Sequence, residues 1–358
     1  MNRLRIAVAG AGVIGRRHME LIQENPRTTL SALVDPTPAS AALAAGLGVP
    51  HFSSLEALLL QDKPDGVILA TPNHLHVPGA LLCLQHGVPA IIEKPVADAL
   101  QPAQQLADAL AASPVPMLVG HHRRHGAILR RAREVIASGQ LGRVVTVMGS
   151  AQFYKPDSYF EQGPWRKLPG GGPILINLIH ELDNLRYLCG EIDSVHAVAS
   201  NAVRGFAVED TAVMTLRFAS GALGTFTLSD VAAAPFSWEQ TSGENKAYAR
   251  YPAENCYVVA GTRGALAVPT LRSWRHAMAC DASPPPGEPG WMTPFIEQTL
   301  PVADIDPLVA QLQHFCDVIE GKAAPIITVN DALESLRAVE AVRRSIDTGS
   351  TIVLRELN

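Results

Sequence analysis

The stretch Leu4-Arg5-Ile6-Ala7-Val8-Ala9-Gly10-Ala11-Gly12-Val13-Ile14-Gly15 decides the fold. An apolar run of β-formers leads into a Gly-x-Gly-x-x-Gly turn, and a helix-compatible segment follows to about Gln23. A second apolar run, Thr29 to Val34, ends at Asp35, about 20 residues past Gly15. Strand, glycine turn, helix, strand and acid form the sequence pattern of a dinucleotide-binding unit. Each position has a physical task. Gly10 permits the tight turn, and Gly12 lets backbone N–H groups approach a pyrophosphate. Gly15 lets the helix pack closely on the strand, and the helix N-terminus favours the phosphate charge. The Asp35 carboxylate suits the two hydroxyls of an adenosine ribose. The residues of the turn, Gly10, Ala11, Gly12, Val13, Ile14 and Gly15, are therefore expected to bind cofactor together with Asp35.

Outward from this stretch the alternation continues. Ser53-x-x-Glu56 reads as a capping box opening a short helix. Gly66 to Ala70 is an all-apolar strand of the kind buried on both faces of a parallel sheet. Further strands are expected at Ala90–Glu93 and Met117–Val119, with helices near Val77–His86 and Gln101–Ala112. The fold class is α/β: a doubly wound parallel sheet whose ligands gather at the strands' C-terminal ends. Those ends hold Thr71-Pro72-Asn73 and Glu93-Lys94-Pro95.

After His125 the pattern changes to long β-rich runs, at 194–200, 211–218, 222–229, 257–260 and 265–268, with a helix expected from about Ile174 to Leu188. This predicts a C-terminal α+β domain with a large, open, mainly antiparallel sheet. The expected division is 1–122 for the dinucleotide domain and 123–358 for substrate binding and oligomerisation. Helices near 307–320 and 331–348 fall in the second part, and residues 281–290 read as a Pro/Gly loop. An open sheet needs its second face covered, and Ala, Val, Met and Phe along 211–229 point to a partner subunit.

Composition excludes several classes. The chain has 358 residues, 47% hydrophobic and 18% charged, with a formal net charge of −5. That balance is globular and lacks the basic excess of a nucleic-acid binder. No apolar run reaches the about 18 residues of a membrane span. Five scattered cysteines suggest a reducing, cytoplasmic compartment without a disulfide framework.

The set Gly10–His18 (GAGVIGRRH), Thr71–His76 (TPNHLH), Glu93–Pro95 (EKP), Trp165-Arg166, Gly170–Asp183 (GGGPILINLIHELD) and Glu209–Ala212 (EDTA) resembles the glucose–fructose oxidoreductase and inositol dehydrogenase family, often called Gfo/Idh/MocA. The resemblance implies an NAD(P)-dependent oxidoreductase acting on a secondary alcohol or ketone of a sugar, cyclitol or related polyhydroxylated ring. It also implies a homodimer or homotetramer joined through the open sheet. Alternatives are a retained-cofactor enzyme using transient oxidation for elimination or glycoside cleavage, and a non-enzymatic dinucleotide sensor.

By the same resemblance Lys94 and His180 are the catalytic pair. Lys94 follows a buried strand end, where it reaches both substrate oxygen and nicotinamide ribose. Burial against a cofactor lowers a lysine's basicity and makes proton exchange near neutral pH feasible. Thr71, Pro72, Asn73, His76, Glu93, Trp165 and Arg166 join the cofactor set, and Arg123, Asn177 and Trp238 the substrate set. Asn177, Asp183 and Asn184 are spaced to share a helix face with His180. His180 and Asp183 are too few for a catalytic zinc, so no metal is expected. Family dehydrogenases carry Asp four residues before this histidine, and here that position is Ile176. The charge of Asp35, followed by Pro36-Thr37-Pro38, favours NAD over NADP.

Overall fold

The computed structural model describes residues 3–277 and 290–357. Cys280 and most of the Pro/Gly loop at 281–290 lie outside them. The chain divides into two compact units, one made of Met1–His125 with Pro307–Leu336 and the other of Gly126–Asp306 with Arg337–Leu357.

In the first unit, strands β1 (Leu4–Ala9), β2 (Thr28–Val34), β3 (His51–Phe52), β4 (Gly66–Leu69), β5 (Ala90–Ile92) and β6 (Met117–Val119) alternate with helices. The helices are α1 (Val13–Glu24), α2 (Pro38–Leu47), α3 (Leu55–Gln61), α4 (His76–Gln85) and α5 (Leu100–Ala111). The sheet is parallel throughout, in the order β3-β2-β1-β4-β5-β6. Order reverses between β1 and β4, the switch point where such sheets bind ligands. The cap of α3 is Ser54, one residue after the expected Ser53, and it accepts from Ala57 N in place of the Ser53–Glu56 box.

The expected boundary needs one correction. A helix at Pro307–Ile319 belongs to the first unit. Its Leu312, Phe315 and Val318 join Ile6, Ile22, Leu33, Ile68, Ile91 and Leu118 in one buried cluster. The cause is the parallel sheet itself, which must be covered on both faces. A Cβ on Gly66 of β4 would stand 2.8 Å from Ile319 Cδ1, so glycine there allows the helix to lie close.

In the second unit, the helices before the late segment are α6 (Ala127–Ala137), α7 (Asp157–Glu161), α8 (Ile179–Cys189) and α9 (Trp238–Thr241). The Pro307–Ile319 helix of the first unit is thus α10, and α11 spans Val329–Thr348. The strands are β7 (Val144–Gln152), β8 (Ile192–Ser200), β9 (Thr211–Phe218), β10 (Leu223–Ser229), β11 (Tyr257–Gly261), β12 (Gly264–Val268), β13 (Arg272–Arg275), β14 (Ile296–Thr299) and β15 (Ile352–Val353). They form one sheet in the order β14-β13-β12-β11-β7-β10-β9-β8-β15. The β7·β10 pair is parallel and the other pairs are antiparallel.

Burial alternates along β9. Ala212, Met214, Leu216 and Phe218 are buried, with Leu216 at 2% exposure. This corrects the expected parity: Ala, Met and Phe of β9 fill the inner face. The outer face carries exposed Met148, Val198, Val213 and Leu223 among Thr146, His196, Thr215, Arg217 and Thr225.

Candidate functional site

The glycine turn has the geometry its residues imply. Gly10 has φ +103°, and a Cβ there would lie 2.3 Å from Ala70 O. A Cβ on Gly15 would lie 2.0 Å from Gly10 O, so the first turn of α1 stacks directly on the loop. Gly12 differs: its Cβ would meet nothing within 4 Å. Space is left on the ligand side of the turn. Gly12 is also the N-cap of α1 and supplies no capping side chain, so the first N–H groups of the helix stay available to an anion. Val13 is 91% exposed there.

Asp35 ends β2 beside this turn. Its Oδ2 accepts from Ala11 N at 2.9 Å, and Oδ1 accepts from Thr37 N at 2.9 Å and Thr37 Oγ1 at 2.6 Å. Burial pushes this carboxyl's pKa upward. The hydrogen bonds from Thr37, Ala11 and Ser40 outweigh it and hold the group below its ordinary value. Asp35 is therefore ionised, with lone pairs left for a diol. It borders a cavity of about 520 Å³ lined mainly by apolar groups, including Val34, Leu55, Leu69, Pro72 and Leu82. A flat aromatic base fits such a lining. Gly10, Thr71 and Pro72 line the same cavity, and Thr71 Oγ1 is buried there without an acceptor. These residues fit a dinucleotide.

Lys94 follows β5, half-buried, and the Lys94–Pro95 peptide is cis. Glu93 beside it is 4% exposed. Its Oε1 lies 2.8 Å from His18 Nε2, and its Oε2 accepts from Lys94 N at 3.2 Å. Burial raises the Glu93 pKa, and the His18 hydrogen bond and charge more than reverse the effect, leaving it well below the usual carboxylate range. A Cβ on Gly120 would lie 2.9 Å from Glu93 Oε1, so glycine at the end of β6 makes room for the carboxylate. Glu93 is thus placed as an internal brace under Lys94. His76 is a brace as well. It is 1% exposed, with Nδ1 2.7 Å from Pro95 O and Nε2 2.8 Å from Thr71 O. Both ring nitrogens lie against backbone carbonyls, which corrects its expected direct contact with cofactor. Asn73 opens a short 3-10 turn before α4. His122 is pushed down to about 3 by burial and by the charge of Arg123, with Glu93 opposing. Arg123 itself is 4% exposed.

In the second unit, the segment after Gly172 is not α-helical from its start. Ile174–Leu178 is a π-turn, and α8 begins at Ile179. Such turns interrupt the α-helical register and recur at functional sites. His180, in the first turn of α8, is 8% exposed. Asp183 and Asn184 share α8 with His180 at i+3 and i+4, whereas Asn177 lies outside it on the π-turn. Asn184 Nδ2 donates to Tyr257 Oη at 2.9 Å, and the buried Asp183 faces Arg186 at 4.0 Å. Asn177, on the π-turn, accepts at Oδ1 from Lys155 Nζ at 2.6 Å.

Lys155 is the residue sequence reasoning missed. It lies just past the end of β7, 6% exposed, and its ammonium packs on the rings of Phe153 (5.3 Å) and Tyr159 (5.0 Å). Burial pulls its pKa down to about 8, against the opposing charges of Asp230 and Glu239. The available signal was its resemblance to Lys94: a lysine beyond a strand end, followed by proline.

Trp165 is 54% exposed, whereas Arg166 turns into its own unit. Its guanidinium stacks on Tyr159 at 3.8 Å and Nη1 donates to Tyr159 O. Trp238 corrects another expectation. It is 2% exposed, stacks on Tyr257 at 5.8 Å and donates from Nε1 to Glu244 Oε2 at 2.7 Å. It belongs to the core of the second unit and cannot read a ring substrate from a loop.

Comparison with known proteins agrees with this arrangement. Residues 4–121 match the model of an oxidoreductase family with an NAD-binding Rossmann fold, and residues 129–267 match the GFO/IDH/MocA C-terminal domain. The rhizopine catabolism protein MocA of Rhizobium meliloti is 28% identical over 201 residues, spanning 56% of this chain and 62% of that protein. A 1,5-anhydro-D-fructose reductase of Ensifer adhaerens is 28% identical over 307 residues, 85% of this chain and 84% of its own. The WlbA dehydrogenase of Bordetella pertussis, solved with NADH and UDP-GlcNAcA, superposes with TM-score 0.78 at 25% identity, covering 100% of both chains. The chain belongs to the Gfo/Idh/MocA oxidoreductase family, its first unit an NAD-binding Rossmann domain.

Proposed function

We propose that the protein is an NAD-dependent oxidoreductase of a polyhydroxylated ring compound, exchanging a secondary alcohol with its ketone. The observation that carries this reading is within the first unit. Lys94 stands at the C-terminal edge of the same parallel sheet whose β1 edge carries the open glycine turn, and a buried His18–Glu93 pair supports it from below. NAD, when bound, supplies the two-electron hydride acceptor. Lys94 takes the hydroxyl proton as the alcohol is oxidised, and returns it in reduction. His180 serves as the second acid/base group. Asp35, held ionised, grips the ribose diol and repels a 2′-phosphate.

The anhydrofructose that one relative is named for and the UDP-GlcNAcA bound to another support a ring substrate rich in hydroxyls. The outer face of the second sheet, with Met148, Val198, Val213 and Leu223 exposed, supports a homo-oligomer formed through that face. The test is a screen of NAD and NADP reduction at 340 nm over sugars, cyclitols, sugar acids and dihydrodiols. Net NADH with one compound class supports the reading. Conversion without net NADH would instead mean a retained cofactor, and loss of all conversion would leave a dinucleotide sensor.

A further inference from the structure

We propose that Lys155, Asn177 and Arg166 form a carboxylate-binding site in the second unit, so that the ring substrate is a sugar acid. The proposal rests on the oxidoreductase reading and narrows its substrate class.

The argument begins with which atom donates. A lysine ammonium has three donors and no acceptor. The 2.6 Å contact from Lys155 Nζ therefore fixes Asn177 with its Oδ1 toward the lysine. Its Nδ2 is then turned away as a donor, and the Asn177 side chain is half-exposed on the π-turn that leads to His180. At this place an acid would accept or exchange a proton. This chain offers N–H groups.

The positive charge behind that amide is buried and lightly compensated. Lys155 is 6% exposed, and its hydrogen bond goes to a neutral amide. Asp230 stands 4.0 Å away but is engaged by Arg204, whose Nε donates to Asp230 Oδ1 at 2.9 Å. Arg204 also donates to the carbonyls of Lys155 and Asp230. Glu239 adds a favourable field, and Arg166 and Arg204 oppose it. A buried cation in this state gains from a carboxylate that completes the pair.

Arg166 supplies the independent observation. Its guanidinium packs on the same Tyr159 ring as the Lys155 ammonium. Its Nε is buried and has no acceptor. A buried charged N–H without a partner carries a standing cost that an incoming anion removes. A buried guanidinium N–H that lacks an acceptor, the outward amide N–H groups of Asn177 and an ammonium bonded to a neutral amide suit a carboxylate better than a hydroxyl, which must also donate.

The test reads binding rather than turnover. Protein saturated with NADH is titrated calorimetrically at pH 7 with D-glucuronate, D-galacturonate and D-gluconate. D-Glucose, D-galactose and myo-inositol serve as neutral counterparts. At least one acid is expected to bind tenfold or more tightly than its neutral counterpart. Lys155→Met and Asn177→Asp should each collapse that ratio toward one, while Lys155→Arg, which keeps a donor-only cation, should retain it within a few fold. Thermal melts of each variant verify folding, and the near-isosteric Asn177→Asp guards against a packing defect in Lys155→Met. Equal binding of acids and neutrals, absent binding of every acid, or an unchanged ratio in folded Lys155→Met and Asn177→Asp would overturn the site. Neutral polyols that turn over while no acid binds would overturn this proposal and leave the oxidoreductase reading intact. Acid binding without any turnover would do the reverse.

Discussion

His18 Nε2 and Glu93 Oε1 lie 2.8 Å apart, with the two residues 1% and 4% exposed. One comes from α1, which opens on the glycine turn, and the other from the residue before Lys94. The pair thus ties the cofactor turn to the lysine through the interior of one unit. Removing one partner strands the other as a buried polar or charged group. His18→Ala is expected to cost about 3 kcal/mol or more in urea unfolding, and Glu93→Gln less, because an amide still accepts from the imidazole. The Glu93 carboxyl has a lowered pKa in the fold, so its stabilisation is fully present above the unfolded value near 4.5 and is lost as pH falls below it. Wild type should therefore lose stability relative to Glu93→Gln on acidification from pH 5, and parallel curves would refute the pairing.

On the proposed reading, Asp35 sets cofactor choice. Its carboxylate is kept ionised by Thr37 and Ala11, and the neighbouring Pro36 and Pro38 bring no cation. NAD should bind at least tenfold more tightly than NADP at moderate salt, by quenching or calorimetry. Asp35→Ser should narrow the gap chiefly by weakening NAD. Arg16 lies nearby, its Nε donating to Ala11 O at 3.0 Å. Tighter NADP binding by the wild type would show that Arg16 outweighs Asp35.

Lys155 gives a pH effect of opposite sign to Glu93. Its folded pKa, about 8, lies below the ordinary 10.5, so the unfolded chain binds more protons between those values. Stability then rises with pH across that window. Compared with Lys155→Met, the wild type should gain at most about 3 kcal/mol between pH 8 and 10.5. A difference that shrinks or stays flat would mean that the ammonium is better compensated than its surroundings indicate.

The outer face of the second sheet should be an interface between copies of the chain. Met148, on β7, is 58% exposed, and Leu223, on β10, is 51% exposed. Met148→Lys with Leu223→Lys should shift a dimer or tetramer to monomer in light scattering at micromolar concentration while leaving the melting temperature of each fold within a few degrees. A wild type that is monomeric under the same conditions would contradict the assignment.

What could be read from the sequence was local. The turn at Gly10–Gly15 and the acid at Asp35 announce themselves because their tasks depend on spacing within one strand–helix–strand unit. The parity of β9 is harder: alternation shows that one face is buried but not which, and Met214, expected outward, faces in. α10 was placed with its sequence neighbours because its amphipathic face does not say which sheet it covers. Trp238 was read as a recognition residue because its core partners Glu244 and Tyr257 are set by tertiary packing. Lys155 is not legible in the sequence for the same reason, since its partners Asn177 and Asp230 come from distant segments. The π-turn at Ile174–Leu178 has no sequence period of its own, so Asn177 was assigned to an ordinary helix face.

In the proposed mechanism Lys94 and His180 perform the chemistry while the glycine turn and Asp35 hold the cofactor. The most direct measurement compares turnover on the compound found in the screen with NAD affinity, for Lys94→Ala and His180→Ala. Each substitution should lower turnover by about 10²–10⁴-fold, the usual effect of losing a positioned acid or base, and leave NAD affinity within a few fold. Asn177→Ala should be milder in turnover and show its loss in KM. Near-normal turnover in both Lys94→Ala and His180→Ala, with folded protein and saturating NAD, would rule out that mechanism.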